Sequence, residues 1–227
     1  LNYANYFAGH SLGEYSALTC ANALQFEEAV RLLHARGKSM QDAVPSGQGA
    51  MLAVLGLKVE EILEQINSIS INGTCEIAND NSPGQIVISG DKDSIQILQD
   101  SLKRRSIRGI ILPVSAPFHC SLMKSAEKKM TQKITKSLFK DPKPSIISNV
   151  TAKAENKVNK IKELLIKQIT SRVKWRESVE YMINNGVNEF IEIGPGKVLS
   201  GLVKRINKDV NVFNINSIDD ITNYINK

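Results

Sequence analysis

Apolar positions along the chain recur with a period that changes several times, and each change marks an element. Between Phe26 and Ala43, the residues Phe26, Ala29, Leu33 and Met40 are spaced by three, four and seven, which predicts an amphipathic helix. Arg36 falls on the same stripe, while Arg31 lies off it. Ahead of this helix, Tyr6-Phe7-Ala8 reads as the end of a buried strand and residues 12–21 as a helix. Pro45-Ser46-Gly47-Gln48-Gly49 then breaks the pattern.

The grammar differs beyond the break. Residues 51–57 form a β-like run and residues 58–68 a helix. Residues 74–77 and 85–89 read as strands around a turn-rich stretch from Asn79 to Gly84. Residues 93–105 carry Ile95, Leu98 and Leu102 at helical spacing, and a strand follows over 108–114. The order βαββαβ is the ferredoxin-like arrangement. Residues 47–112 are therefore expected to be a small subdomain inserted into a larger body made of residues 1–46 and 113–227.

That body resumes with a loop through Ala116-Pro117-Phe118-His119. Helices are expected over 122–137, 160–171, 175–185 and 197–206, and strands over 145–150, 187–193 and 211–215. Alternating strands and helices predict an α/β fold with a mainly parallel sheet covered by helices.

Composition narrows the function classes. The 227 residues are 42% hydrophobic, enough for a sizeable core, and carry a net charge of +6. Lys103-Arg104-Arg105 is the one tight basic run, and aromatic residues make up 5%, which argues against a base-stacking platform and against nucleic-acid binding. An acidic protein partner or an anionic ligand suits the charge better. Cys20, Cys75 and Cys120 are distant and odd in number, so they fit neither a disulfide framework nor a zinc ribbon. A reducing compartment is the simplest reading. No apolar run approaches the length of a membrane span.

The chemistry concentrates at Gly9-His10-Ser11-Leu12-Gly13, a G-x-S-x-G elbow that exposes a serine between a strand and a helix. Its glycines permit close backbone approaches, and the helix after Ser11 aims free N–H groups where an oxyanion would develop. The strand before such an elbow is normally central in its sheet, yet only eight residues precede Gly9. Its neighbours are expected from later in the chain or from a segment before Leu1, and the chain reads as a fragment. Gly194-Pro195-Gly196-Lys197 is followed by Val198, so it is read as a structural turn rather than a phosphate loop.

A serine hydroxyl needs a general base. Of the three histidines, His10 adjoins Ser11 and should point elsewhere, His34 lies on a helix flank, and His119 is the best placed. No acid stands convincingly in a body loop between Ser11 and His119. A dyad follows, with His119 Nδ1–H donated to a backbone carbonyl. Arg36, on an inward helix face, needs an anion: an internal Asp or Glu, or a ligand carboxylate or phosphate.

Five segments occur in order: residues 9–15, Arg36 to Gln41, Asn81 to Gln85, Pro117-Phe118-His119, and Gly194 to Leu199. Through them the chain resembles the malonyl-CoA:acyl carrier protein transacylases of bacterial-type fatty acid synthesis. The resemblance implies a hydrolase-like catalytic body and assigns roles. Ser11 would be the acyl-accepting nucleophile, His119 its base, and Arg36 the grip on the malonyl carboxylate. Gln168 would orient His119 through its backbone carbonyl, the Leu12 N–H would serve the oxyanion, and Asn81 would line the cleft. Phe118 would exclude the extra methyl of methylmalonyl. A glycine–glutamine loop near the family's N-terminus, which completes the oxyanion hole, lies before the start of this chain.

The implied reaction is a ping-pong transfer from malonyl-CoA to the phosphopantetheine thiol of acyl carrier protein, by a monomer with no cofactor and no metal. The compartment would be a bacterial cytoplasm, or an organelle of bacterial descent if a targeting segment is removed. A serine esterase and a non-catalytic carrier-protein-binding remnant stand as alternatives.

Overall fold

The computed structural model describes residues 4–226. In chain order the elements are β1 (Tyr6–Ala8), α1 (Gly13–Cys20), α2 (Phe26–Gln41), β2 (Gly49–Leu55), α3 (Val59–Asn67), β3 (Cys75–Ser82), β4 (Gln85–Asp91), α4 (Lys92–Arg104) and β5 (Gly109–Ile111). There follow α5 (Lys124–Lys136), β6 (Ser145–Ile147), β7 (Ala154–Glu155), α6 (Val158–Gln168), α7 (Trp175–Asn184), β8 (Glu189–Ile193), α8 (Val198–Ile206), β9 (Asn211–Ile215) and α9 (Ile218–Ile225). A short 3-10 turn over Ser121–Met123 leads into α5. β7 and α9 were not foreseen: two residues are too few to show a period, and α9 buries none of its side chains.

The strands β2 to β5 form one antiparallel sheet in the order β3-β4-β2-β5, the ferredoxin-like pattern. Alternation along β2 explains its two faces. Leu52 and Val54 turn inward with Ile62 of α3 and Ile95, Leu98 and Leu102 of α4. Met51 faces the other way and packs with Ala78, Val87 and Phe118. α4 begins cleanly because the Asp91 carboxylate accepts the Ser94 N–H at 3.0 Å, an N-cap.

In the body, β1 pairs in parallel with β6, matching Phe7 with Ile146, and β7 adds an antiparallel edge. β8 and β9 form a separate parallel pair. The parallel character is as expected, but among the described residues β1 has one strand neighbour rather than two. The main core lies between α1, α2, α5 and α6, with Tyr15, Leu18, Met40, Met130 and Leu165 buried.

Two expectations need correction. Phe26 does not belong to the buried stripe of α2, being 67% exposed. The inward face is instead Ala29, Leu32, Arg36, Ser39 and Met40. The polar stretch from Asn79 to Ser82 is not a loop but the buried end of β3. Turn propensity loses there because the Asp80 and Asn81 side chains both find distant partners, Arg176 and His10. Asp80 takes three bonds from the Arg176 guanidinium at 2.9–3.2 Å, and its N–H donates to the Val173 carbonyl at 2.9 Å. These bonds also tie the small sheet to the body through α7.

Candidate active site

Ser11 sits where β1 runs into α1. The turn between them is too tight for a side chain at its start. A Cβ on Gly9 would lie 2.0 Å from the Gly13 carbonyl oxygen, so Gly9 has to be glycine. Gly13 has open space at that point, so contact does not require its glycine, contrary to the expectation for both. Ser11 adopts φ 53°, in the left-handed region, at a cost of about 1–3 kcal/mol. Asn149 holds the turn in place: its Oδ1 accepts the Ser11 N–H at 2.7 Å and its Nδ2 donates to the Gly9 carbonyl at 2.8 Å.

His119 arrives from the loop after β5, also left-handed at φ 60°. Its Nε2 lies 2.7 Å from Ser11 Oγ and its Nδ1 lies 2.8 Å from the backbone oxygen of Gln168. A carbonyl can only accept, so Nδ1 carries the hydrogen and Nε2 is left to accept from the serine hydroxyl. Burial, helped by the Arg36 charge, pushes the His119 pKa down from 6.5 to about 3, against the pull of the Gln168 carbonyl. The imidazole is therefore neutral at physiological pH.

Arg36 extends from α2 into the same space. One of its terminal nitrogens, Nη2, donates to Ser11 Oγ at 2.9 Å and to Gln168 Oε1 at 3.0 Å. Its Nε is buried with no partner. Among the described residues no carboxylate forms an ion pair with it, so the internal salt bridge that the pattern allowed is absent. Burial lowers its pKa, and the Tyr15 phenol and the Glu14 carboxyl raise it.

Gln168, the last residue of α6, joins these groups. Its Nε2 donates to Glu14 Oε2 at 2.7 Å and to the Ser11 carbonyl at 3.0 Å. Glu14 is 1% exposed, and burial pushes its carboxyl up to about 7, while bonds from Gln168 and the Asn149 N–H, with the Arg36 charge, pull it down. Neither Glu14 nor Asn149 was singled out from the sequence. Asn149 had a signal: it stands at the carboxyl end of a parallel strand, where α/β sheets place their ligands. Glu14 had none, because an acid in a first helical turn is ordinary.

The Leu12 side chain is 58% exposed, and its backbone N–H is left over. The neighbouring Ser11 N–H is taken by Asn149, the Gly13 N–H by the His10 carbonyl and the Glu14 N–H by the Ser11 carbonyl. Asn81 Oδ1 accepts from His10 Nε2 at 2.8 Å, and the His10 ring lies 5.7 Å from that of Trp175, turned from Ser11 as expected. Phe118 is half-buried and packs both on the small sheet and on the body core. His34 is exposed. The described residues hold no group of three or more His, Cys, Asp or Glu suited to a metal, and no helix long and apolar enough to cross a membrane.

A hydroxyl that donates to a neutral imidazole, next to a spare backbone N–H and a guanidinium without a carboxylate partner among the described residues, can attack a carbonyl and carry an acyl group with an acidic tail. The acyl transferase domain family matches residues 4–221. The malonyl CoA-acyl carrier protein transacylase of Escherichia coli K12 is 44% identical over 200 residues, which is 88% of this chain. The chain spans 65% of the length of that relative. The solved transacylase of the same name from Coxiella burnetii superposes with a TM-score of 0.93 at 40% identity, covering 96% of this chain and 70% of that one. A complex of a type II PKS acyl-carrier protein with its malonyl-transacylase matches at TM-score 0.93 and 39% identity, covering 98% of this chain and 73% of that one.

Proposed function

The chain belongs to the acyl transferase domain family, and on that footing we propose that it moves a malonyl group from malonyl-CoA to the phosphopantetheine thiol of acyl carrier protein, for fatty acid synthesis. The observation that carries the substrate is Arg36, a buried guanidinium at 2.9 Å from Ser11 Oγ with no carboxylate paired to it among the described residues. A free carboxylate on the acyl group would complete it through a two-pronged bond.

In this mechanism His119 Nε2 takes the Ser11 proton as Oγ attacks the thioester carbon. The Leu12 N–H stabilises the tetrahedral oxyanion. The C–S bond breaks, coenzyme A leaves with the proton from His119, and malonyl-Ser11 remains. The carrier thiol then attacks the ester with His119 again as base, and Ser11 recovers its proton. Arg36 holds the malonyl carboxylate throughout. Gln168 orients His119 by its backbone carbonyl. Phe118 restricts room beside the α-carbon, and Asn81 fixes His10 at the cleft wall. No cofactor and no metal take part in this scheme. The reading includes residues 47–112 as a small subdomain over the site, supported by the separate core of its sheet, and a bacterial cytoplasm as its setting.

Intact mass spectrometry tests it directly. The protein incubated with malonyl-CoA should gain one malonyl group, and Ser11→Ala should gain none. The adduct should disappear on addition of phosphopantetheinylated carrier protein. A folded protein that gains no adduct would overturn the proposal in favour of an esterase or a binding remnant.

A further inference from the structure

We propose that Glu14 is a positioning residue for this reaction: it locks the Gln168 side-chain amide in the one orientation that serves both Arg36 and Ser11. The inference rests on the function proposed above.

An amide has two ends of nearly equal shape and opposite hydrogen-bonding character. In the observed orientation Gln168 Oε1 accepts from Arg36 Nη2 at 3.0 Å. Its Nε2 faces only acceptors: Glu14 Oε2 at 2.7 Å, the Ser11 carbonyl at 3.0 Å and Asn149 Oδ1 at 3.4 Å. A half-turn of the amide would aim its NH2 at the guanidinium and its oxygen at those oxygens. Of the three acceptors, Glu14 is the nearest and the one with an ionisable oxygen. A carboxyl oxygen accepts this bond in either protonation state, and the ionised form accepts it more strongly. The lock is itself held still, because the Asn149 N–H donates to the same Glu14 oxygen at 3.2 Å.

Glu14 has a second consequence for Arg36. Its field favours the charged guanidinium, yet it forms no ion pair with it, so the fork stays open for an incoming carboxylate. The other charged group that acts on Glu14 is Glu155 of β7, and Glu14 in turn raises the pKa of Tyr15 on its own helix. Gln168 sits between Glu14 and Arg36 and transmits orientation without closing the site.

Transfer of malonyl and of acetyl from their coenzyme A thioesters, measured side by side, tests this. In Glu14→Ala the amide is free to turn. The preference for malonyl over acetyl should fall about tenfold or more, as expected for loss of a bond to a charged group, and the KM for malonyl-CoA should rise more than kcat falls. Glu14→Gln keeps an acceptor oxygen at the same reach and should restore most of the preference. A purely structural Glu14 would lower the melting temperature and leave the preference of the folded fraction intact, which would overturn the proposal. If Glu14→Ala fails to fold, Glu14→Asp, with its carboxylate withdrawn by one methylene, should show a reduced preference, and an unchanged one would overturn the proposal. A parent protein without a malonyl adduct would overturn the functional reading and this one with it. A parent that forms the adduct beside a folded Glu14→Ala of unchanged preference would overturn this one alone.

Discussion

The Nδ1 of His119 lies 2.8 Å from the backbone carbonyl oxygen of Gln168, at the end of α6. The partner that fixes the histidine tautomer is thus main chain, where a triad would use an acid. Substitution of the Gln168 side chain leaves that carbonyl in place.

Gln168→Ala and His119→Ala should therefore behave differently. His119→Ala removes the base and should slow formation of the serine adduct by about 10²–10⁴. Gln168→Ala keeps the imidazole oriented but leaves Arg36 and Glu14 without their shared amide, so it should act more on malonyl affinity than on the rate at saturation. Single-turnover kinetics with malonyl-CoA separate the two. Equal loss of rate at saturation in both variants would contradict the main-chain role.

Arg36→Ala should lose about 10- to 100-fold in malonyl transfer and bring malonyl and acetyl towards parity, because bonds to charged groups are each worth about 1.5–3 kcal/mol. Arg36→Lys should recover little, since an ammonium lacks the planar fork. Stability should move the other way. A buried cation without an ion pair is costly, so Arg36→Met should unfold at a temperature no lower than the parent. Thermal melts beside the selectivity assay check both halves.

His119 and Glu14 should pull stability in opposite directions with pH. His119 has a pKa of about 3 when folded against 6.5 unfolded. Its contribution is complete above 6.5 and is lost as pH falls towards 3, because the unfolded chain takes the proton first. Glu14 has a pKa of about 7 folded against 4.5 unfolded. The folded protein binds that proton more tightly, so its contribution is complete below 4.5 and is lost as pH rises through 7. Each effect is on the order of a few kcal/mol. Urea unfolding across this range should show a shallower acid-side loss in His119→Ala and a shallower loss on the rising side in Glu14→Gln. Slopes identical to the parent's would refute the assignment.

The two glycines of the elbow should differ sharply. Gly9→Ala forces a Cβ to within 2.0 Å of the Gly13 carbonyl and should abolish activity and soluble expression. Gly13→Ala meets nothing within 4 Å and starts a helix. It should retain activity and gain up to about 1 kcal/mol from helix propensity. Expression level and adduct formation report on both.

Much of the fold could be read from periodicity. The helix of α2, the βαββαβ order and the elbow each depend on local spacing, which the backbone converts directly into faces and turns. The reading failed where tertiary partners overrule local preference. Asp80 and Asn81 look like loop residues because nothing nearby in the chain satisfies their side chains; Arg176 and His10 do so from far away.

The site divides in the same way. Residue types and motif order alone singled out Ser11, His119 and Arg36 as the candidates to carry the proposed chemistry, since a nucleophile, a base and a cation for an anionic ligand each need a particular side chain. Tertiary structure decided how they are wired. Asn149 clamps the turn, Glu14 faces the Gln168 amide, and among the described residues no acid forms an ion pair with Arg36. Those relations join residues more than a hundred positions apart, as with Glu14 and Gln168. Hydrogen bonds and buried charges are settled by distance in space, and spacing along the chain does not encode that distance.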